Sequence, residues 1–375
     1  MSGNDGGYRG LVSTQPKLIE VRLPGSPYRV TIGRGLLAYI DQLITVPTYA
    51  AHAAIVSSGV PYRRYAGVVA KALNRHGLAT ELIEIPDGEP NKTLATLERC
   101  CRAFAKIPLG RDDLVVAVGG GVTGDLAGFA AAIWSRGVPV VQVPTTLLAQ
   151  VDAAIGGKTA VDIPEGKNLL GVFHQPMAVI MDTDTLLTLD KRERRAGLAE
   201  VLKYGFIADP EVLAILERAP ADAVACEPQL IDELVCRSVA VKARIVASDE
   251  RESGERALLN YGHTVGHAVE ALGCYRSYLH GEAVAIGMVF AARLGERLGF
   301  SEPGLADRTV RALQGLGLPT GGIVVDTEKL WEFMRRDKKA RRGVRFVLCR
   351  KPGSAQLVDQ PDPEIINEVL ASLAR

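Results

Sequence analysis

An apolar strand that runs straight into a glycine-rich turn constrains the fold of this chain more than any other stretch. Leu114-Val-Val-Ala-Val118 has the composition of a buried parallel strand. It leads into Gly119-Gly-Gly-Val-Thr-Gly-Asp125 and then a small-residue helix predicted over Leu126–Trp134. Glycines at such a turn let backbone N–H groups approach a phosphate, and the helix N-terminus adds partial positive charge. The spacing is not GxGxxG, and a tight turn without a ligand is the alternative.

The segments around this turn alternate between strand and helix. The apolar pattern predicts strands over 18–23, 28–32, 53–56, 80–85, 138–143 and 178–181, and helices over 36–43, 62–76 and 93–106. This order is typical of an α/β domain, a Rossmann-like parallel sheet with helices on its faces.

A glycine- and lysine-rich stretch follows the strand over 138–143. Gly157-Lys158-Thr159 resembles the end of a P-loop, but Asp152 occupies the place of its first glycine. We interpret residues 152–168 as a loop that could hold a phosphate group, with a solvated basic loop as the alternative. The apolar run Leu169-Leu-Gly-Val-Phe173 is expected to be buried.

From Lys191 onward the pattern becomes helical. Helices are predicted over 193–208, 210–218, 228–247, 263–273, 281–299 and 303–315, with one strand at 344–348. We therefore predict an α/β domain over 17–188, an all-α or mainly helical domain over 189–375, and a frayed tail over 1–16.

The totals exclude several classes of protein. A chain of 375 residues suggests two domains, and its 47% hydrophobic and 23% charged residues are typical of a globular protein. A net charge of +1 gives no general attraction to nucleic acid or membrane. The six cysteines form no CxxC pair, no apolar run has transmembrane length, and the N-terminus lacks the apolar core of a signal peptide. We expect a reduced, cytoplasmic protein.

Three of the six histidines fall within one short stretch. His263 and His267 are four residues apart, which places both imidazoles on one face of a helix, and His280 follows in a second glycine-bounded turn. Histidine is the commonest metal ligand and titrates near neutrality, so the stretch could hold a metal, move a proton or do both. A helix that carries histidines in a polar groove is the alternative.

Glu200 and Lys203 share one face of an apolar helix. A surface salt bridge is the simple interpretation, but the flanking apolar residues indicate partial burial, and a buried carboxylate requires a metal or a cation. Glu200 with two histidines would form the two-His, one-carboxylate set of a catalytic zinc site. The basic run Asp337-Lys-Lys-Ala-Arg-Arg342 is typical of a solvated face.

Taken together, these stretches resemble the 3-dehydroquinate synthase family of sugar-phosphate cyclases. The matching motifs are GGGVTGDLAGF at 119–129, RGVPVVQVPTTLLAQVDAAIGGKTAV at 136–161, GKNLLGVFHQP at 166–176, AEVLKYG at 199–205, KARIVASDERESGERALLNYGHTVGHA at 242–268, HGEAVAIGM at 280–288 and DKK at 337–339. The resemblance extends from about Glu20 to the C-terminus. It implies a dehydroquinate synthase-like fold, with NAD on the α/β domain and a divalent metal on the helical domain.

The resemblance also implies roles for individual residues. The metal, Zn²⁺ or Co²⁺, would be held by Glu200, His263 and His280, which leaves His267 free for proton transfer. The NAD contacts would be Glu89, Lys92, Gly119, Gly120, Gly121, Asp125, Thr145, Thr146, Asp152, Lys158, Lys167 and Thr188. The substrate contacts would be Arg136, Asp152, Lys158, Asn168, Lys203, Lys242, Arg256, Asn260, His267 and Lys338. Arg136 would reach the neighbouring subunit's site, which implies a homodimer.

The implied reaction converts 3-deoxy-D-arabino-heptulosonate 7-phosphate to 3-dehydroquinate and phosphate, with NAD reduced and reoxidised in each turnover. Cations around the site would pair with the substrate's phosphate and carboxylate. One departure concerns Ser57-Ser58, where the family often has Thr-Asn or an acidic residue near the adenosine end of NAD.

Three other functions are weighed against this one. The first is a sister cyclase, such as an aminodehydroquinate synthase or a 2-epi-5-epi-valiolone synthase. The substrate of the latter lacks the carboxylate that the set Lys242, Arg256, Asn260 and His267 fits. The second is an NAD- and metal-dependent polyol dehydrogenase, which has no need of Lys158, Asn168, Lys242, Arg256 and Lys338 around the site. The third is a non-catalytic protein on the same fold, which predicts altered site positions, and the sequence shows none at the metal, lysine and histidine positions.

Overall fold

A computed structural model of the chain describes residues 15–252, 254–273, 277–323, 326–336, 344–359 and 361–374. They form two compact units: the first runs to Leu189 and includes Lys242–Ala247, and the second comprises Asp190–Val241 and the described residues from Ser248 onward. The predicted tail falls almost entirely outside the described residues. None of the helices described is both long enough and apolar enough to span a bilayer.

The first unit is built on a seven-stranded sheet. Its strands are β1 (Lys17–Val21), β2 (Tyr28–Gly33), β3 (His52–Ser58), β4 (Ala79–Ile85), β5 (Leu114–Gly119), β6 (Val140–Pro144) and β9 (Ala178–Asp182), in the order β1-β2-β9-β6-β5-β3-β4. The pair β1–β2 is antiparallel and the other pairs are parallel. A separate antiparallel hairpin consists of β7 (Lys158–Ile163) and β8 (Gly166–Phe173).

Helices cover both faces of this sheet. They are α1 (Ile40–Leu43), α2 (Gly59–Pro61), α3 (Gly67–Arg75), α4 (Leu94–Lys106) and α5 (Gly121–Ile133), and a π-helical stretch, Tyr62–Ala66, joins α2 to α3. Successive residues of β5 point to opposite faces, so Val116 packs with α1 and α3 while Val115 packs with α4 and α5. This arrangement confirms the predicted α/β class.

The second unit is mainly helical. Its helices are α6 (Lys191–Ile207), α7 (Pro210–Arg218), α8 (Pro220–Ala225), α9 (Pro228–Ser248, whose last turns belong to the first unit), α10 (His263–Leu272), α11 (His280–Arg297), α12 (Leu305–Gly315), α13 (Thr327–Arg336) and α14 (Pro363–Ser372). The antiparallel hairpin β10 (Arg345–Lys351) and β11 (Ser354–Asp359) adds strands to the predicted helical domain. Most residues of α11 are buried on all of its sides, so this helix lies in the core of the unit.

Three sequence predictions need correction. The stretch 152–168 is not a simple loop, because residues from Lys158 onward form the β7–β8 hairpin. The run Leu169–Phe173 is not buried: Leu170, Val172 and Phe173 are 37%, 40% and 45% exposed. Helix α5 begins at Gly121 rather than at Leu126, because Gly121 and Gly124 lie in its first turn and only Gly119 and Gly120 precede it. The elements α8, α13, α14 and β11 were not assigned from the sequence.

Candidate functional site

Glu200, His263 and His280 converge within the second unit. Glu200 lies on α6, His263 begins α10 and His280 begins α11. His263 Nε2 is 3.5 Å and His280 Nε2 is 3.6 Å from the same oxygen, Glu200 Oε1. Two atoms that each lie about 2.0–2.1 Å from a tetrahedral zinc ion are about 3.4 Å apart. The three donor atoms therefore fit one divalent ion.

The state of Glu200 supports this fit. The side chain is 0% exposed, and within the described part of the chain neither of its carboxylate oxygens accepts a well-directed hydrogen bond. Its Oε2 does form an ion pair with Lys203, which is 1% exposed. A carboxylate so far from water requires cationic partners, and Oε1 faces the two imidazoles.

In both candidate imidazoles, Nδ1, the ring nitrogen farther from Glu200, is in a hydrogen bond. His263 Nδ1 is 3.1 Å from the carbonyl of Tyr261, and His280 Nδ1 is 3.1 Å from Glu270 Oε2. Burial, followed by the charge of Lys203, lowers the pKa of His263 well below its usual value. A neutral imidazole keeps the lone pair that metal binding requires.

Close backbone contacts at glycines position these side chains. A Cβ at Gly281 would lie 1.9 Å from the carbonyl oxygen of Ala196, so α11 can approach α6 only with glycine there. A Cβ at Gly287 would lie 1.8 Å from the carbonyl oxygen of Gly262, which closes α11 onto α10. The convergence of Glu200, His263 and His280 thus depends on residues that carry no side chain.

His267 has a different environment from the other two histidines. Its side chain is exposed, and its ring centre is 5.4 Å from that of His263 and 6.0 Å from that of His280. It lies beside the proposed ligands while its ring stays open to solvent. This position is compatible with proton transfer to a bound molecule.

The segment before α10 carries two further predicted residues. Arg256 is 2% exposed; its backbone N–H donates to Asp249 (3.1 Å) and its guanidinium contacts the carbonyl of Glu250. Asn260 donates from Nδ2 to Glu252 Oε1 at 2.9 Å. Glu252 has φ +60°, a left-handed conformation that costs free energy in a non-glycine residue.

The glycine turn of the first unit lies where the strand order reverses. β3 continues outward to β4, whereas β5 on its other side continues to β6, so the switch point falls between the ends of β3 and β5. Open α/β sheets bind ligands in the crevice at such a point. A Cβ at Gly119 would lie 2.6 Å from Thr123 Oγ1, which leaves no room for a side chain there, and one at Gly120 would lie 3.2 Å from the Thr146 side chain, which leaves little.

At the end of β3, the two serines that depart from the family pattern are already hydrogen-bonded. Ser57 Oγ donates to the carbonyl of Val118 at 2.6 Å. Ser58 Oγ donates to Asp87 Oδ1 at 3.0 Å and lies 3.1 Å from Thr123 Oγ1. Asp87 is therefore an acidic group at the switch point that the sequence analysis did not single out.

A group of charged and polar side chains lies beyond this turn. Lys92 Nζ contacts Asp125 and donates to Asn168 Oδ1 at 2.6 Å. Lys167 Nζ is 3.4 Å from Glu89 Oε1. Burial alone would lower the pKa of Lys92, but the charges of Asp125 and Glu89 outweigh it and raise the pKa above its usual value. The group combines four of the predicted NAD contacts with one predicted substrate contact.

The other predicted contacts of the first unit are more dispersed. Lys242 Nζ donates to Asp152 Oδ1 at 2.6 Å. Thr145 donates its N–H to the carbonyl of Gly119 at 2.9 Å, and its buried Oγ1 has no hydrogen-bond partner among the described residues. Thr188 Oγ1 is 2.5 Å from the phenol oxygen of Tyr65.

Lys158 and Arg136 are exposed, so neither is fixed by burial. Lys338 lies outside the described residues. The structure therefore brings together the metal set in one unit and the Lys92 group in the other, while the ligand roles of all these residues stay predictions. Sequence reasoning missed Glu270 and Asp87, although a charged residue within an apolar helix is a signal that could have identified Glu270.

Comparison with known proteins gives consistent matches over both units. The family model described as "3-dehydroquinate synthase N-terminal" matches residues 82–196, and the one described as "3-dehydroquinate synthase C-terminal" matches residues 197–340. A 3-dehydroquinate synthase from Nocardia farcinica is 45% identical over 366 residues, which is 96% of this chain and 97% of that protein.

Two solved structures share the fold. A 2-epi-5-epi-valiolone synthase from Streptomyces hygroscopicus, with NAD⁺ and Zn²⁺ bound, has a TM-score of 0.86 and 30% identity, covering 94% of this chain and 98% of that one. A 2-deoxy-scyllo-inosose synthase, in complex with carbaglucose-6-phosphate, NAD⁺ and Co²⁺, has a TM-score of 0.86 and 25% identity, covering 95% of this chain and 99% of that one.

Proposed function

Because this chain belongs to the 3-dehydroquinate synthase family, we propose that it converts 3-deoxy-D-arabino-heptulosonate 7-phosphate to 3-dehydroquinate and inorganic phosphate. The enzyme is a phosphate-eliminating carbon–oxygen lyase of the shikimate pathway. The observation that carries the proposal is the convergence of Glu200, His263 and His280 on one point. When bound, NAD⁺ takes up and returns a hydride, and the divalent ion polarises substrate oxygens.

The second unit carries the proposed metal ligands and several of the residues proposed to contact the substrate. Glu200, His263 and His280 hold Zn²⁺ or Co²⁺. His267 is not a ligand in this proposal, so the lone pair of its ring nitrogen is available to move a proton. Lys203 and Arg256 are buried cations, which suits them to an anionic group that has lost its water. Asn260 presents its amide oxygen to the substrate, since its Nδ2 already donates to Glu252.

The first unit supplies the NAD site. The turn Gly119–Gly121 and the N-terminus of α5 bind the pyrophosphate through backbone N–H groups. Glu89, Lys92, Asp125 and Lys167 surround the remainder of the dinucleotide, together with Thr145, Thr146 and Thr188. Lys158, Asn168, Lys242, Asp152 and Arg136 serve the substrate, with Asp152 and Lys158 also contacting NAD. The same role is assigned to Lys338 on the family resemblance alone.

The chain also acts as a homodimer in this proposal. The exposed apolar residues Leu170, Val172 and Phe173 of β8 support an interface in which a second copy of the chain covers them. Arg136 is also exposed, so it can reach a partner's site. Phe173→Lys should convert a dimer to a monomer in sedimentation equilibrium, because the lysine charge would be buried at the interface. Leu357→Lys, at a similarly exposed strand residue, is the control. A wild-type monomer would refute this part.

The proposed compartment is the cytoplasm. None of the five cysteines that the structure describes forms a disulfide, and burial raises the pKa of the Cys349 thiol to about 12. Thiols that stay protonated and buried need no oxidising environment.

The test is a product assay on purified protein with NAD⁺, Zn²⁺ and the heptulosonate phosphate. Release of one phosphate per substrate, with 3-dehydroquinate identified by NMR and no net NADH, is the expected result. NADH accumulation with glycerol and no phosphate release would instead indicate a polyol dehydrogenase. Turnover of a substrate without a carboxylate would indicate a valiolone synthase. We do not expect it, because the chain is 45% identical to the dehydroquinate synthase and 30% identical to the valiolone synthase.

A further inference from the structure

Glu270 is a buried carboxylate that the ligand set described above does not use. It lies on α10, seven residues after His263, and is 4% exposed. Burying a carboxylate is costly unless it is paired or hydrogen-bonded. Its Oε2 is 3.1 Å from His280 Nδ1, which is within hydrogen-bond distance.

The imidazole of His280 thus lies between two carboxylates. Its Nδ1 faces Glu270, whereas its Nε2 is 3.6 Å from Glu200 Oε1. An ionised carboxylate can only accept a hydrogen bond, so the ring hydrogen must be on Nδ1. The lone pair is then on Nε2, directed toward Glu200. Glu270 therefore selects the tautomer that a ligand at this position needs.

The same arrangement holds at the other imidazole of the set. His263 Nδ1 bonds to the carbonyl of Tyr261, and its Nε2 lies 3.5 Å from Glu200 Oε1. One histidine is oriented by backbone and the other by a side chain. Metal-binding histidines generally donate their second N–H to such an acceptor.

We propose that Glu270 is a positioning residue, which holds Nε2 of His280 toward the divalent ion without binding the ion itself. The proposal rests on the metal site put forward above. A competing arrangement is possible in geometry, because donor atoms of His267, Glu270 and His280 also lie within 4.8 Å of one another. In that arrangement Glu270 would bind the ion itself, an outcome that the zinc measurements below distinguish.

The test measures zinc affinity of the full-length protein by competition with a chromophoric chelator, without NAD or substrate. Glu270→Met keeps the side-chain length and removes the acceptor, and we expect zinc to bind about 10- to 100-fold more weakly. Glu270→Gln, which retains an amide acceptor, should lose less and serves if the Met variant does not fold. Glu296→Gln, a half-buried carboxylate on α11 that accepts from the Ala306 N–H at 3.0 Å, is the control and should bind zinc as tightly as wild type.

His263→Ala, measured alongside, separates failure of the inference from failure of the proposed site. If His263→Ala loses zinc while both Glu270 variants bind it as tightly as wild type, the ligand set stands and the inference about Glu270 is overturned. If Glu270→Met loses zinc as completely as His263→Ala, Glu270 is itself a ligand, and the inference is again overturned. If none of these variants changes zinc affinity, the proposed metal site is wrong.

Discussion

Replacing Lys203 by methionine tests whether this lysine and the divalent ion share one carboxylate. Lys203 and Glu200 are three residues apart on α6, 1% and 0% exposed, and in ion-pair contact. Removing the lysine from the metal-free protein leaves Glu200 buried without its lysine partner. Only the neighbouring imidazoles then face its carboxylate. Breaking a buried pair by removing one partner costs about 3–5 kcal/mol, and we expect the free energy of unfolding of the second unit to fall by this amount.

Zinc should reduce that cost. A bound ion supplies the positive charge that Glu200 lost, so Lys203→Met should be less destabilising when zinc is saturating. By linkage, the destabilisation should shrink by the same free energy by which the substitution strengthens zinc binding. In wild type, the ion would correspondingly release Lys203 to bind an anionic substrate group.

The assay follows urea unfolding by tryptophan fluorescence, with chelator or with saturating zinc. The chain has two tryptophans, and Trp134 lies in the first unit. In a Trp134→Phe background, Trp331 therefore reports unfolding of the second unit. Arg308→Met, which breaks a more exposed ion pair with Glu217, is the control and should cost less than about 1 kcal/mol. Equal destabilisation by Lys203→Met with and without zinc would show that the lysine and the ion do not share Glu200.

Three further predictions follow from the site and the fold. His263→Ala should lose metal and activity together, whereas His267→Ala should keep the metal and lose rate; equal metal loss in both, measured by metal analysis, would overturn the assignment. Lys92→Met should weaken NAD⁺ binding about tenfold or more in calorimetry, because a buried charged hydrogen-bond partner is lost, and the exposed Lys71→Met should not. Burial alone would raise the pKa of Asp113, but hydrogen bonds from three backbone N–H groups outweigh it and hold the pKa below its usual value. The stabilisation that the Asp113 carboxylate provides is therefore present above pH of about 4 and is lost as the pH falls through the lower folded-state pKa. Asp113→Asn should destabilise the first unit by about 1–3 kcal/mol at pH 7 and by less at pH 3, as measured by urea unfolding. A destabilisation that does not change with pH would contradict this.

The sheet was predictable from the sequence because local pattern determines it. A run such as Leu114–Val118 has no polar residue to expose, so it must lie in the middle of a sheet, and the structure places β5 there with every residue buried. The hairpin β7–β8 was not predictable in the same way. Its glycines and lysines are typical of loops, and Leu170, Val172 and Phe173 remain exposed in the single chain.

The candidate site was predictable in its residue types and less so in its contacts. The spacing of His263 and His267 follows from helix geometry, and their rings do lie on one face. The pairing of Glu270 with His280 depends on how closely α10 and α11 pack. That distance is set by Gly262 and Gly287, whose contact no local pattern reveals. Tertiary packing therefore determines the part that sequence reasoning missed.

The most direct measurement of the central claim is a crystal structure of the zinc-loaded protein, with anomalous diffraction recorded at the zinc edge. We expect one ion bound by a carboxylate oxygen of Glu200 and by Nε2 of both His263 and His280, with Nδ1 of His280 still bonded to Glu270. Zinc bound at another place, or three side chains that point away from one another, would contradict it.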